Sequence, residues 1–349
     1  MGSSGNNLTI NGAITGPGAL TQYVTASGKL TLANPTNTYS GGTVVYKTEM
    51  TVAANASLGI GDVTVANSGT LSLWGNGNIG GGDMTTANDD RAARLTVFSA
   101  GKVNFYCPAP SIGSLSGGGT LVLSNTVLTV GGDNSSTIWN GAINQFAGTT
   151  GSVVKVGSGT LTMDGWTRHI GSTTVSNGTL VANTSLPGPV TVASGATLLS
   201  SGAFAGPLTN SGVLSAGMTN TVGTLTAGGL TMLSGATFVV NVAGTNSFDQ
   251  VSVNGPVALG AGVCSLQVVL GYAPQAGDSF AIVLNDGADA VTGAFAGLIE
   301  GARVDCGAFN GKPYRCTISY AANGGDGGAN DVVLSNFRSA NAGTVLLVQ

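Results

Sequence analysis

Short segments in which apolar and hydroxylated residues alternate recur along the chain, and a glycine-containing turn opens each of them. The alternation lasts about five residues, and a period of two is typical of a β-strand with one buried face. Copies of this turn-and-strand phrase begin at residues 27, 68, 118, 158, 177, 194, 211, 222 and 234. No long segment carries apolar residues at the period of a helix. The sequence therefore predicts an all-β protein built from many short strands.

The spacing of these segments predicts how the strands are arranged. From Gly159 to Gly235 the turn glycines are 19, 17, 17, 11 and 12 residues apart, which suits solenoid coils that contribute two or three strands each. A five-residue strand cannot bury its apolar face alone. Stacking each coil on the previous one, about 4.8 Å away, satisfies the backbone hydrogen bonds and builds a continuous core. We therefore expect a parallel β-solenoid, or β-helix, with glycines at its corners.

Composition and charge argue against a nucleic-acid partner and against a membrane-spanning helix. Charged residues make up 7% of the 349 residues, hydrophobic residues make up 42%, and the formal net charge is −4. A nucleic-acid-binding protein would show clustered Lys and Arg, whereas the 11 basic residues here are scattered singly along the sequence. No apolar run approaches the roughly 20 residues of a membrane-spanning helix. We expect neither a nucleic-acid partner nor a membrane-spanning segment.

Two stretches resemble the autotransporter-associated β-strand repeat. Residues 27–44 read SGKLTLANPTNTYSGGTV, and residues 58–73 continue the first copy as LGIGDVTVANSGTLSL. A second copy runs from residue 157 to about residue 199. Residues 202–337 are similar to the closing segment of autotransporter passengers, with YAPQAGDSFAIVL and NDVVL as the matching phrases.

This resemblance implies a right-handed β-helix that is exported to the surface or the medium of a bacterium. No C-terminal translocation barrel is expected, because only 12 residues follow Phe337. Residues 1–7 show neither a basic region nor an apolar stretch, so we expect that any export signal has been removed.

Three parts are predicted along the chain. Residues 1–245 form solenoid repeats, with an irregular excursion at about residues 83–110 that matches the repeat poorly. Residues 246–338 form a β-rich closing segment with a C-terminal β-hairpin or cap, since residues 302–320 read as strand, Asn-Gly turn, strand. Residues 339–349 form a terminal strand or tail.

One pair among the four cysteines is placed to form a disulfide. Cys306 and Cys316 lie five residues either side of Gly311, so they can face each other across the hairpin. Cross-strand neighbours have Cβ atoms about 4.5–5.5 Å apart, close to the separation that a disulfide needs. Two buried free thiols are the alternative, and the pairing of Cys107 and Cys264 stays open.

The sequence predicts no catalytic, cofactor-binding or metal-binding residue. The single histidine, His169, aligns with Tyr39 of the first repeat, and we interpret it as a corner-packing residue rather than a general base. The richest group of charged residues, Asp83 with residues 88–91 and Arg94, is interpreted as a solvated loop.

Two other candidate chemistries have structural interpretations. The Asp- and Gly-rich segments 285–289 and 324–331 do not match a calcium-binding loop, and turns explain them better. Trp74, Trp139 and Trp166 are candidate sugar-stacking platforms, although a single tryptophan in a solenoid more often covers a corner of the core.

These observations favour a non-catalytic structural protein of the bacterial surface: a fibre, stalk or surface-layer subunit, or an adhesive passenger. Solenoid ends carry unpaired strands, so end-to-end self-association is predicted, with residues 339–349 as a possible donor strand. Two alternatives stay open. A carbohydrate-active β-helix enzyme predicts convergent acidic and basic side chains in a groove, and a glycan-binding adhesin predicts a row of aromatic residues along one face.

Overall fold

The computed structural model describes residues 7–23, 27–77, 79, 93–218, 221–286 and 289–339. The chain divides into two compact units, residues 1–191 and 192–349. Within the described residues the only helix is a single 3-10 turn, Gly260–Gly262, and all other regular elements are β-strands. The strands stack in parallel as the coils of a β-solenoid, so the predicted fold class is confirmed.

The strands of the first unit are mostly three to five residues long. In chain order they are β1 (Leu8–Ile10), β2 (Leu20–Tyr23), β3 (Lys29–Leu32), β4 (Thr43–Tyr46), β5 (Glu49–Val52), β6 (Val63–Ala66), β7 (Thr70–Trp74), β8 (Arg94–Val97), β9 (Lys102–Tyr106), β10 (Ser111–Ile112), β11 (Ser114–Gly117), β12 (Thr120–Leu123), β13 (Thr126–Val130), β14 (Thr137–Trp139), β15 (Ala142–Gln145), β16 (Gly151–Lys155), β17 (Thr160–Met163), β18 (Thr173–Val175) and β19 (Thr179–Ala182), and β20 (Val190–Val192) follows them.

These strands form three parallel sheets that run along the first unit. One sheet has the order β1-β3-β5-β7-β9-β12-β15, a second contains β2-β4-β6-β8-β11-β14-β17-β19, and a third contains β10-β13-β16-β18. Each strand therefore pairs with the strand that occupies the same place in the next coil. Stacking lets each short strand contribute its apolar side chains to a core that continues from coil to coil.

Equivalent positions of successive coils lie above one another and build columns of apolar side chains. In one column Leu32 pairs with Val52, Val52 with Leu73, and Leu73 with Phe105. All four side chains are fully buried. A one-residue slip would turn each of them to the opposite face of its strand, so the apolar alternation fixes the register from coil to coil.

The second unit contains longer strands toward its C-terminal end. They are β21 (Thr197–Ser200), β22 (Ala203–Phe204), β23 (Leu208–Asn210), β24 (Val213–Ser215), β25 (Thr224–Ala227), β26 (Leu230–Met232), β27 (Thr237–Gly244), β28 (Ser247–Phe248), β29 (Gln250–Val253), β30 (Val257–Leu259), β31 (Ser265–Leu270), β32 (Ser279–Asn285), β33 (Thr292–Gly293), β34 (Arg303–Phe309), β35 (Lys312–Ala322) and β36 (Asp331–Ser339).

Parallel stacking in this unit ends in an antiparallel sheet. The parallel series are β21-β24-β27-β31, β23-β26-β30-β33 and β22-β25-β29-β32. Beyond them β36 pairs antiparallel with β32, β35 with β36, and β34 with β35. Asn310 and Gly311 connect β34 to β35 with φ of 50° and 74°, which is the backbone of an Asn-Gly hairpin turn. The predicted C-terminal hairpin is confirmed.

The described part of the predicted excursion is more regular than the sequence suggested. Residues 94–97 and 102–106 are β8 and β9, which stack in register on β6 and β7. The reason is that Leu95, Val97 and Val103 supply the same buried alternation as the repeats. Residues 83–92 lie outside the described residues. The predicted boundary at residue 245 stays a prediction.

Glycines serve two purposes in the stack. Gly157 and Gly178 have φ of 70° and 66°, the left-handed conformation that was expected at corners. Gly165 lies outside that region, but a Cβ atom there would overlap the carbonyl oxygen of Gly141 in the preceding coil. Gly165 therefore lets two coils approach, a use that strand periodicity alone does not reveal.

Replacing Gly165 by alanine tests coil-to-coil contact. We expect Gly165→Ala to lower the free energy of unfolding by about 1–3 kcal/mol, because the added methyl group forces the coils apart. Gly118→Ala is the matched control, since a Cβ at Gly118 has no atom within 4 Å, and it should change stability by less than about 0.5 kcal/mol. Urea unfolding of both variants measures the difference. Equal midpoints would show that the coils are not in contact at Gly165.

Candidate functional site

Tyr39 and His169 occupy equivalent corners in their sequence repeats, although the strands that follow them, β4 and β18, belong to different sheets. The Tyr39 hydroxyl lies 2.7 Å from Thr43 Oγ1, and His169 Nε2 lies 3.0 Å from Thr173 Oγ1. Both rings are buried, and each threonine begins the strand that follows its corner. His169 therefore has the corner-packing position predicted for it.

Burial also fixes the protonation of His169. Desolvation lowers its pKa to about 4, so the ring is neutral at physiological pH. Within the described residues its Nδ1 has no hydrogen-bond partner. Thr173 is also buried, so neither side chain of the His-Thr pair is exposed to solvent. The pair places a ring nitrogen beside a hydroxyl group, and this is the only feature that it shares with a catalytic base and its nucleophile.

Lys155 is a buried cation that the sequence analysis did not single out. Its Nζ donates hydrogen bonds to the carbonyl oxygens of Val156 at 2.6 Å and Gly157 at 2.9 Å. A third hydrogen bond, of 3.2 Å, reaches the carbonyl oxygen of Asn177 in the next coil. Burial lowers the pKa of Lys155 to about 8. The three N–H donors of this ammonium group thus link backbone carbonyl groups at a corner of the solenoid, which is a structural role.

The charged residues of the predicted excursion are only partly described. Asp83 and residues 88–91 lie outside the described residues, whereas Arg94 forms an ion pair in which its Nε lies 3.0 Å from Asp133 Oδ2. Asp133 also accepts hydrogen bonds from Ser135. Arg94 therefore contributes to a local turn. No group of three or more His, Cys, Asp and Glu side chains is arranged to hold a metal ion in the part of the chain that the structure describes.

The two Asp- and Gly-rich segments meet at a turn of the second unit. Asp331 is fully buried, and its carboxylate accepts hydrogen bonds from the backbone nitrogens of Asn285 at 2.8 Å and Gly324 at 2.5 Å. Asn285 also donates to the carbonyl oxygen of Asp289 at 2.6 Å. The Asp331 carboxylate thus satisfies backbone donors, as expected for turn chemistry.

The three tryptophans have different environments. Trp139 is fully buried in the core, whereas Trp74 is 45% exposed and Trp166 is 75% exposed. The Arg168 guanidinium lies 5.9 Å from the centre of the Trp166 ring. Trp139 is therefore a core residue, and Trp74 and Trp166 present aromatic surface to solvent.

An exposed aromatic row lies at the end of one sheet of the first unit. Trp74 of β7 and Tyr106 of β9 are register partners, with stacked rings whose centroids are 4.2 Å apart. Phe146 follows β15, and its ring meets Tyr106 edge-on at 6.4 Å. The coil between them has Ser124 at this position, and its small side chain leaves room for the two rings to meet. This row is the feature that a glycan-binding face predicts.

The same stacking limits what the row can bind. Trp74 and Tyr106 cover one face of each other, so at most one face of each ring is open to a ligand. Such cross-strand aromatic pairs contribute roughly 0.2–1 kcal/mol each to a sheet. Trp166 is different because its exposure leaves most of its ring surface open.

Cys306 and Cys316 face each other inside the terminal hairpin. Their Sγ atoms are 3.3 Å apart, and both side chains are buried. In the register of β34 and β35 Cys316 lies opposite Val304, and an extra residue in β34 follows Asp305. The two sulfurs are in contact as thiols, and Cys107 and Cys264 are buried elsewhere.

Comparison with known families agrees with the repeat pattern. Residues 27–47 and 153–182 match the model of the passenger-associated transport repeat, which confirms the resemblance to autotransporter passengers. Both segments contain the corner residue, Tyr39 or His169. No curated protein matches the chain significantly. Across the described ranges no helix is long and apolar enough to span a bilayer. The chain is a β-solenoid with two segments that are similar to a repeat of autotransporter passengers.

A variant with tyrosine at the second corner tests the role of His169. Its pKa is about 4 in the folded chain and about 6.5 when unfolded. The unfolded state therefore binds more protons between these values, so this contribution to stability is complete above pH 6.5 and is lost as the pH falls to 4. The free energy of unfolding that this pKa difference contributes above pH 6.5 is about 3 kcal/mol.

We expect His169→Tyr to place a hydroxyl near Thr173, as Tyr39 does near Thr43, and to remove this part of the acid sensitivity. Unfolding free energies of both proteins at pH 7, 5.5 and 4.5 measure it. If both proteins lose stability in parallel on acidification, His169 is not buried as a neutral ring.

Proposed function

We propose that this chain is an exported, non-catalytic structural passenger: a β-solenoid stalk or surface-layer segment of a bacterial surface protein. The observation that carries the proposal is the in-register stacking of apolar columns in a chain that contains two segments similar to a passenger repeat. Buried polar groups that could act in catalysis are instead hydrogen-bonded within the solenoid. His169 packs a corner, Lys155 binds three carbonyl groups, and the buried Asp331 binds backbone amides.

Export gives the Cys306–Cys316 pair a role. In an oxidising compartment the two thiols form one disulfide and release two protons and two electrons, which a disulfide carrier of that compartment accepts. The contact of 3.3 Å between the sulfurs supports this proposal. The bond would tie β34 to β35 and hold the terminal hairpin closed.

Thiol labelling of the chain isolated from its producing bacterium tests export and oxidation together. We expect an antibody against the chain to label intact cells. After denaturation, maleimide should modify Cys107 and Cys264 before reduction, and all four cysteines only after reduction. A Cys306→Ser variant, which leaves Cys316 without a partner, is the control and should show three reactive thiols without reduction. A cytoplasmic chain with four reactive thiols would contradict the proposal.

A glycan-binding passenger is a second candidate function, and the exposed Trp166 favours it. An open indole face can pack against the apolar face of a sugar ring, and its amphipathic character suits a wet surface. The nearby Arg168 adds a hydrogen-bond donor beside the ring. The aromatic row at Trp74 and Tyr106 would then contribute mainly to the stability of the stack.

Calorimetric titration with oligosaccharides tests this second function. We expect Trp166→Ala to abolish binding to neutral oligosaccharides without a change in thermal stability, because the side chain is 75% exposed. Trp74→Ala is the comparison, and it should lower the free energy of unfolding by about 1 kcal/mol while binding persists. Unchanged binding in Trp166→Ala would exclude this face.

End-to-end self-association stays a prediction. Residues 340–349, which contain most of the segment predicted to donate a strand, lie outside the described residues.

A further inference from the structure

Three arginines meet on the outer face of the antiparallel sheet in the second unit. Arg303 of β34, Arg315 of β35 and Arg338 of β36 are all exposed. Arg315 pairs directly with Arg338, and Arg303 pairs with Thr317, two residues along β35. Half of the six arginines in the chain thus lie on three adjacent strands. We refer to Arg303, Arg315 and Arg338 as the arginine triad.

An extra residue in β36 turns Arg338 to this face. While β35 advances two residues from Arg315 to Thr317, β36 advances three, from Ser335 to Arg338. Asn336 accommodates the irregularity with a left-handed backbone, at φ 56°. In an unbroken alternation Ser335 and Arg338 would point to opposite faces, because side chains alternate with a period of two. The bulge therefore brings the third guanidinium to the other two.

The triad lines a surface cavity, and none of its guanidinium groups forms an ion pair with a described carboxylate. The cavity has a volume of about 510 Å³ and is lined by Arg303, Arg315, Cys316, Thr317, Asn336, Arg338 and Ser339. No described carboxylate oxygen lies within 4.0 Å of the three guanidinium groups. Asp305 is the backbone partner of Arg315, but its Oδ1 accepts a hydrogen bond from the Gly307 nitrogen at 3.1 Å.

A bound anion would relieve the charge repulsion within this arrangement. Like charges directly opposite each other on neighbouring strands destabilise a sheet, and Arg315 and Arg338 are such a pair. Guanidinium groups form paired hydrogen bonds with oxyanions. The cavity volume falls in the range of about 300–1,000 Å³ that is typical of small-molecule sites.

We infer that the arginine triad is a binding site for oxyanions that together bring at least two negative charges: a free phosphate or sulfate ion, or several sulfate or phosphate groups of one acidic glycan. One carboxylate or one sulfate ester carries a single negative charge, so either of these ligands matches three guanidinium groups better. The site goes beyond the structural role proposed above, and that role does not depend on it.

Calorimetric titration of the purified chain tests the inference with three probes: inorganic phosphate, a heparin-derived sulfated tetrasaccharide and the neutral cellotetraose. We expect one or both anionic probes to bind and cellotetraose not to bind to this site. Arg315→Gln and Arg338→Gln should each weaken anion binding at least about tenfold, the effect of losing a charge-assisted hydrogen bond. Lys312→Gln is the matched control, because Lys312 is exposed on the same hairpin and does not line the cavity.

Thermal unfolding separates a binding role from a structural one. Without ligand, Arg315→Gln should unfold at the same temperature as the parent chain or higher, because a like-charge pair is relieved. The bound anion should raise the unfolding temperature of the parent chain and not that of the variant. Binding of phosphate alone would assign the site to a free ion, and much tighter binding of the tetrasaccharide would assign it to a glycan. Absence of binding by both anions, or an equal loss in Lys312→Gln, would overturn the inference.

Discussion

The register between successive coils is the constraint on which the rest of this structure depends. No strand of the solenoid is long enough to bury its apolar face alone, so each one relies on the same position in the coil before it. The column through Leu32, Val52, Leu73 and Phe105 shows the result. The same constraint explains the glycine content, because coils that lie this close leave no room for a Cβ at positions such as Gly165.

Stacking also determines what happens to polar groups. A polar group that is buried inside a coil needs hydrogen-bond partners there. In this chain backbone atoms are those partners. The ammonium of Lys155 spans two coils through carbonyl groups, and the carboxylate of Asp331 gathers the amides of a turn. Surface functions are therefore restricted to the outer faces and to the antiparallel end of the second unit. There the bulge in β36 interrupts the alternation of side chains between the two faces of the strand.

The sequence alone predicted the parts that follow from periodicity. The alternation, the turn glycines and the Asn-Gly hairpin were sufficient for the solenoid and its terminal hairpin, and the alignment of His169 with Tyr39 identified a corner. The arginine triad could not be found in this way, because its members are 12 and 23 residues apart and one extra residue in β36 decides which face Arg338 occupies. The aromatic row depends equally on which coils are neighbours, which the irregular match around residues 83–110 concealed.

The most direct test is a distance measured across several coils of the first unit. Lys29 and Ala142 occupy equivalent places on β3 and β15, five coils apart in one sheet. Spin labels at these two positions, in a variant without the native cysteines, should give a distance distribution centred near about 24 Å, from five spacings of about 4.8 Å. A distribution whose centre differs from that value by more than the combined length of the two label side chains would contradict coil-on-coil stacking.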